Sequence, residues 1–179
     1  VIEISESCNL PNISLVDSGT VQLIRGLVPG IKLESSGNVI QTVLSAWTPA
    51  MVRSHLKAAR VLDKVQKEAF SLISTRIKEG EIITEKNVQD FIRDQFEKRG
   101  IFTDHLPVVA SGRNTSNPHF ATEAAPVKRI KKDEVVLIDL WGKLAGEDSV
   151  FADITWMGFV GKSLPLEVNR VWEAVVKAR

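Results

Sequence analysis

Apolar residues recur every three or four positions from Val52 to Ile77, with Leu56, Ala59, Leu62, Val65, Ala69 and Ile73 between them. That spacing is the stripe of an amphipathic helix of roughly eight turns, at 3.6 residues each. Thr48 supplies a cap, Pro49 fits the first helical turn, and Gly80 stops the run. Arg53, Lys57, Arg60, Lys64 and Lys67 fall on the other side and form a solvated face. A second helix is predicted from the cap Thr84, with Val88, Phe91, Ile92 and Phe96 on one side and Gly100 past its end. Beyond it the period changes. Residues 101–110 are apolar enough for a strand, and residues 111–118 read as a polar loop. Residues 135–141 and 150–160 are β-branched and aromatic, as strands are, and residues 142–149 between them carry Gly142, Gly146 and Glu147-Asp148-Ser149, which is turn chemistry. From Pro165, Leu166, Val168, Val171, Trp172, Val175 and Val176 outline a last helix, apolar on one side.

Residues 1–45 read as a small α/β piece. Strands are expected at residues 1–5 and 31–35, with helices opened by a capping Asp or Ser near Asp17 and again from Asn38. The boundary falls at Trp47-Thr48-Pro49, dividing residues 1–46 from residues 47–179. Two helices followed by an antiparallel sheet make the second part α+β. The chain shows no internal repeat, low-complexity segment or coiled-coil heptad.

Composition narrows the function classes. The net charge of +1 gives no electrostatic argument for nucleic acid or for an anionic membrane. No run of about 18 apolar residues occurs, and the N-terminus lacks a basic-then-apolar leader pattern. The lone Cys8 excludes an internal disulfide framework and a cysteine-rich zinc site, fits a reducing compartment, and has no cationic neighbour in sequence to activate it. The first residue is Val1 rather than Met and the last helix has no stop signal, so the chain is expected to be cut at both ends.

The candidate chemistry lies in residues 135–161, where each apolar run is interrupted by one carboxylate, Asp139 and Asp153. A turn centred on Gly146 would set the two directly opposite each other on one face, with Cβ atoms about 4.5–5.5 Å apart. Two bare carboxylates at that distance repel, and one must take up a proton unless a cation joins them. Carboxylates suit divalent metals. The other reading makes one aspartate a solvated strand end and the other a turn cap. His55, among the polar positions of the first helix, and His105, beside Asp104, read as surface histidines; Lys128-Arg129-Ile130-Lys131-Lys132 reads as a solvated turn.

Val136-Leu137-Ile138-Asp139-Leu140 followed by Ala152-Asp153-Ile154-Thr155 resembles the paired-aspartate hairpin of the pita-bread metallopeptidases. Upstream, the segment from Ala110 through Arg113, Asn114 and Pro118 to His119-Phe120 resembles that superfamily's segment ending in a substrate-site histidine. The order of parts agrees too, and the likeness is to the Xaa-Pro aminopeptidase, prolidase and creatinase branch, from about Trp47 to the end. It implies the first half of a pita-bread catalytic domain, preceded by the last part of a creatinase-type N-terminal domain.

The resemblance also implies a site. Asp139 would hold one of two divalent ions (manganese, cobalt, zinc or iron) and Asp153 would bridge both. His119 would be the catalytic and substrate-binding histidine that donates a hydrogen bond to the scissile carbonyl. Thr155, two residues past Asp153 on the same strand face, would hydrogen-bond a ligand carboxylate or the water. A hydroxide generated at the metals would attack the peptide bond before proline. The family's remaining ligands, a histidine and two glutamates from later strands, have no counterpart among these residues, so the chain by itself is expected to be inactive. Thirteen residues separate the two aspartates, more than is common in the family, and Trp156 replaces the usual basic residue after Thr155. These departures, with Trp141, bear on substrate preference. Expected partners are a peptide substrate and, for the intact protein, a second copy of itself in the cytoplasm, without nucleic acid or membrane. A creatinase-like hydrolase or lyase acting on a small molecule is the alternative within the fold. A non-catalytic peptide- or protein-binding member is the alternative outside enzymology, and retention of both aspartates argues against it.

Overall fold

The computed structural model describes residues 1–4 and 15–178, which fall into two compact units, Val1–Thr48 and Pro49–Arg179. In the first unit, helix α1 (Ser18–Leu27) is opened by Asp17, whose carboxylate accepts from the Thr20 N–H at 3.0 Å. Helix α2 spans Gly37–Leu44. Among the described residues, the two strands expected here meet as one parallel bridge between Ile2 and Ser35. Cys8 lies outside the described residues.

The second unit is built on helix α3 (Pro49–Lys78) and helix α4 (Glu85–Lys98). Gly80, at φ +76°, takes the left-handed conformation that ends α3, which other residues adopt at a steric cost. Thr84 opens α4 with a reciprocal cap: its hydroxyl accepts from the Asn87 N–H, and the Asn87 side chain accepts from the Thr84 N–H, each at 3.1 Å. The inward side of α3 carries Ala58, Leu62, Val65, Ala69 and Ile73, all buried. In the first turns the predicted stripe gives way, because Val52 and Leu56 are exposed and Ser54 and His55 turn inward instead. The Ser54 hydroxyl accepts from the Val150 N–H (3.0 Å), and His55 Nδ1 donates to the Phe151 carbonyl (2.8 Å). A carbonyl only accepts, so the His55 proton sits on Nδ1. His55 is therefore a clamp between α3 and the hairpin, not a surface histidine.

The sheet has strand β3 (Val135–Leu144) at its centre. Strand β4 (Ala152–Phe159) pairs with one edge of β3, and strands β1 (Ile101–Phe102) and β2 (Val108–Ser111) share the other, all antiparallel. The single strand expected over residues 101–110 is thus broken in two. Pro107, which has no N–H to donate, closes the break, and the Thr103 hydroxyl donating to the His105 carbonyl (2.8 Å) turns the chain within it. The polar loop after β2 begins as a 3-10 turn over Gly112–Ser116. Helix α5 (Leu166–Ala178) follows the sheet with none of its residues buried.

Helices α3 and α4 cover one face of the sheet only. Val136, Ile138 and Leu140 of β3 point into that core and are fully buried, together with Val109 of β2 and Ala152 of β4. Successive strand residues point to opposite faces. Leu137, Asp139 and Trp141 therefore look away from the helices, as do Asp153, Thr155 and Met157. This second face carries the candidate chemistry.

Candidate metal centre

The β3–β4 register pairs Asp139 with Thr155 and Trp141 with Asp153. The two aspartates share a face, as the spacing predicts, but they are diagonal neighbours rather than directly opposed. The turn centres on Glu147 instead of Gly146, which slides the pairing by two residues and keeps every side chain on its expected face. The cause lies at Gly142. A Cβ there would come within 2.4 Å of Ile101 Cγ2 and 2.9 Å of the Phe102 carbonyl oxygen. Gly142 is thus a close-approach position for β1 and not the start of the turn, and β3 runs on to Leu144. Diagonal neighbours lie about 7–8 Å apart, with their Cβ atoms somewhat closer, which leaves room between the carboxylates for a cation.

Thr155 fills the position opposite Asp139. Its hydroxyl donates to Asp139 Oδ1 at 2.6 Å, fixing that carboxylate's rotation while leaving Oδ2 free to coordinate. Partial desolvation raises the Asp153 carboxyl above its ordinary value, and the Asp139 charge adds to the shift. Among the described residues, neither carboxylate is in a salt bridge with a lysine, arginine or histidine. Two solvent-reachable carboxylates that repel each other, one already oriented by a hydroxyl, are a donor set that fits a hard or borderline divalent ion. They are too few to hold it alone, and among the described residues no group of three or more His, Cys, Asp or Glu is arranged for a metal.

His119 stands on the adjoining loop, in a turn in which the Phe120 N–H donates to the Asn117 carbonyl (3.1 Å) and the His119 N–H to Asn117 Oδ1 (3.0 Å). Its side chain is exposed. Among the described residues it has no hydrogen bond to Asp139 or Asp153, so the structure brings together Asp139, Asp153 and Thr155 and does not join His119 to them. The loop does return to the sheet at the right level. The Thr122 hydroxyl accepts from the Val109 N–H (2.8 Å) and donates to its carbonyl (3.1 Å), and the preceding residue, Val108, pairs with Asp139.

That loop is held by residues the sequence did not flag. Glu85, in the first turn of α4 and 2% exposed, accepts from the Ser111 N–H (2.6 Å), the Ser111 hydroxyl (2.8 Å) and the Asn114 amide (3.0 Å to each carboxylate oxygen). Lys128 donates to the Ser111 carbonyl (2.8 Å) and hydroxyl (2.7 Å) and faces Glu134 at 3.2 Å. Lys128 is therefore an internal strut, although the charge run containing it reads as a solvated turn. Gln89, also buried, donates to the Pro107 carbonyl (2.8 Å) and to Glu123 (3.0 Å). A carboxylate directly after a threonine cap was the signal available for Glu85, and it reads equally well as a helix-dipole residue.

The sequence profile of metallopeptidase family M24 matches residues 53–179. The chain belongs to that family. Solved structures extend the likeness to the fold. The prolidase of Thermococcus sibiricus superimposes with a TM-score of 0.61 at 24% identity, over 92% of this chain and 42% of its own. The X-Pro aminopeptidase of Thermotoga maritima gives 0.64 at 20% identity, over 91% of this chain and 43% of its own. An X-prolyl aminopeptidase of Caenorhabditis elegans, described as a cytosolic enzyme with a di-nuclear active site, gives 0.51 at 20% identity, over 66% of this chain and 18% of its own. At such identities the likeness carries the fold, the α+β pita-bread architecture. This M24 chain spans less than half the length of these proteins. No curated protein sequence matches it significantly. Among the described residues no helix is long and apolar enough to cross a membrane.

Proposed function

We propose that the full-length M24 protein is a dinuclear metal-dependent peptidase of the Xaa-Pro type, acting on peptides with proline after the scissile bond. The observation that carries this reading is the pair Asp139 and Asp153 on the uncovered face, with Thr155 bonded to Asp139 at 2.6 Å. Asp153 would be shared between two ions and Asp139 would serve one. When bound, such ions supply Lewis acidity and make a water acidic enough to act near neutral pH.

The remaining roles belong to this chain's own groups. Thr155 orients Asp139 so that one carboxylate oxygen stays available. His119, exposed on a loop moored through Glu85, Lys128 and Thr122, donates a hydrogen bond to the substrate carbonyl as charge gathers on its oxygen. The described residues offer two metal-binding carboxylates, so this chain alone is proposed to be inactive and the other ligands to come from outside it. Manganese, cobalt, zinc and iron each suit this chemistry, and the working form is proposed to be a cytoplasmic homodimer.

The test is an assay of the full-length protein, stripped by chelation and reloaded with each of the four metals in turn. Proline dipeptides, longer peptides with proline second, and creatine serve as substrates side by side. Metal-dependent release of the residue before proline is the expected result. Turnover of creatine alone, or proline-peptide cleavage that survives chelation, overturns the proposal.

A further inference from the structure

One large aromatic side chain on the uncovered face takes no part in the proposed metal site. Trp141 pairs in register with Asp153, so their Cβ atoms lie about 4.5–5.5 Å apart, closer than the two aspartates are to each other. A tryptophan there does not fill the core, which lies on the opposite side of β3 and is built without it. It is nonetheless fixed in place. The indole Nε1–H donates to Asp104 Oδ1 at 2.7 Å, from the break between β1 and β2. The His105 ring lies 6.4 Å from the Trp141 ring at 43°. Asp104 also lies 3.4 Å from His105 Nδ1, so one exposed carboxylate stands beside both rings.

With its N–H already satisfied, the indole offers only apolar π-surface to whatever binds next to Asp153. We propose that Trp141, oriented by Asp104, is a specificity-determining wall of the substrate site that packs against a large apolar or aromatic side chain of the residue before the scissile bond. This rests on the peptidase reading above and adds the substrate class to it. A smooth apolar wall distinguishes side chains by size and rewards the larger one by roughly ten- to a few-hundredfold at most. Trp141 and Asp104 act together, because an indole without its tether can rotate away from Asp153.

The experiment compares full-length wild-type protein with Trp141→Ala, Trp141→Phe and Asp104→Asn. Two peptides that differ only in phenylalanine or alanine before proline are assayed, and bound metal is measured in every variant. For Trp141→Ala we expect kcat/KM on the phenylalanine peptide to fall about tenfold, with less than about a twofold change on the alanine peptide and unchanged metal content. Trp141→Phe should keep most of the preference, and Asp104→Asn should fall between. Equal losses on both peptides, or loss of metal from Trp141→Phe, would make Trp141 a support for Asp153 and overturn the proposal. Calorimetric titration with phenylalaninamide and alaninamide reads the same preference without turnover. If wild-type protein cleaves no proline peptide, the peptidase reading fails by itself. The wall then stands if phenylalaninamide binds more tightly than alaninamide and Trp141→Ala abolishes the difference, and it falls if the two bind alike.

Discussion

The two faces of the β3–β4 hairpin are made from alternate residues of the same strands and obey different rules. On the covered face, Val136, Ile138, Leu140 and Ala152 are buried against α3 and α4, and any apolar side chain of suitable volume would serve. On the uncovered face, Asp139, Trp141, Asp153 and Thr155 stand in a specific register, with the Thr155 hydroxyl bonded to Asp139 and the Trp141 indole to Asp104. The covered face makes the fold. The uncovered face is supported by it and contributes little to stability in return. Partial burial, with the Asp139 charge adding to it, raises the Asp153 carboxyl, and such a pair is an arrangement the fold tolerates rather than one that stabilises it.

Adjacent residues of β3 give the largest contrast. Leu140→Ala should destabilise the protein by about 2–5 kcal/mol in denaturant titration, whereas Trp141→Ala, one residue along and only half-buried, should cost clearly less. Comparable losses at the two positions would erase the distinction between the faces. Next comes Glu85→Ala, which removes the buried acceptor beneath the His119 loop. Each buried donor it strands costs about 1–3 kcal/mol, and hydrogen exchange should speed up at Ser111 before it does in α3. Thr155→Val acts on the uncovered face alone. Metal affinity should fall about tenfold while the melting midpoint barely moves, read by competition with a chelating dye.

The smallest effect concerns pH. The Trp141 hydrogen bond holds the Asp104 carboxyl below its ordinary value of 3.8. A depressed folded-state pKa means that this stabilisation is fully present above 3.8 and is lost as pH falls through the lower folded value. The indole N–H resonance of Trp141 should therefore shift with a midpoint below 3.8, and a midpoint above it would contradict the bond.

What the sequence disclosed follows the same division. Helices α3 and α4 were legible with their stops and caps, because a 3.6-residue apolar period with Gly80, Thr84 and Gly100 at the ends admits few alternatives. The shared face of Asp139 and Asp153 was legible as well, since alternation is insensitive to a slide of two residues. The register itself was not. It depends on Gly142 admitting β1 at close range, and in sequence that glycine looks like any turn glycine. Ser54, His55, Glu85 and Lys128 escaped for a related reason. Each is a polar residue turned inward to bond backbone or loop groups distant in sequence, and no local pattern records such a partner. Trp141 was visible as a departure from the family's pattern, but its tether to Asp104 appears only once β1 and β2 are folded onto β3.

In the proposed two-ion site, of which the uncovered face carries part, Asp153 serves both ions and Asp139 serves one. Metal analysis of the full-length protein and its Asp139→Asn and Asp153→Asn variants tests it most directly, with circular dichroism confirming that each variant is folded. About two ions per wild-type chain, about one in Asp139→Asn, and close to none in Asp153→Asn are expected. Folded variants that both keep the wild-type metal content would contradict it.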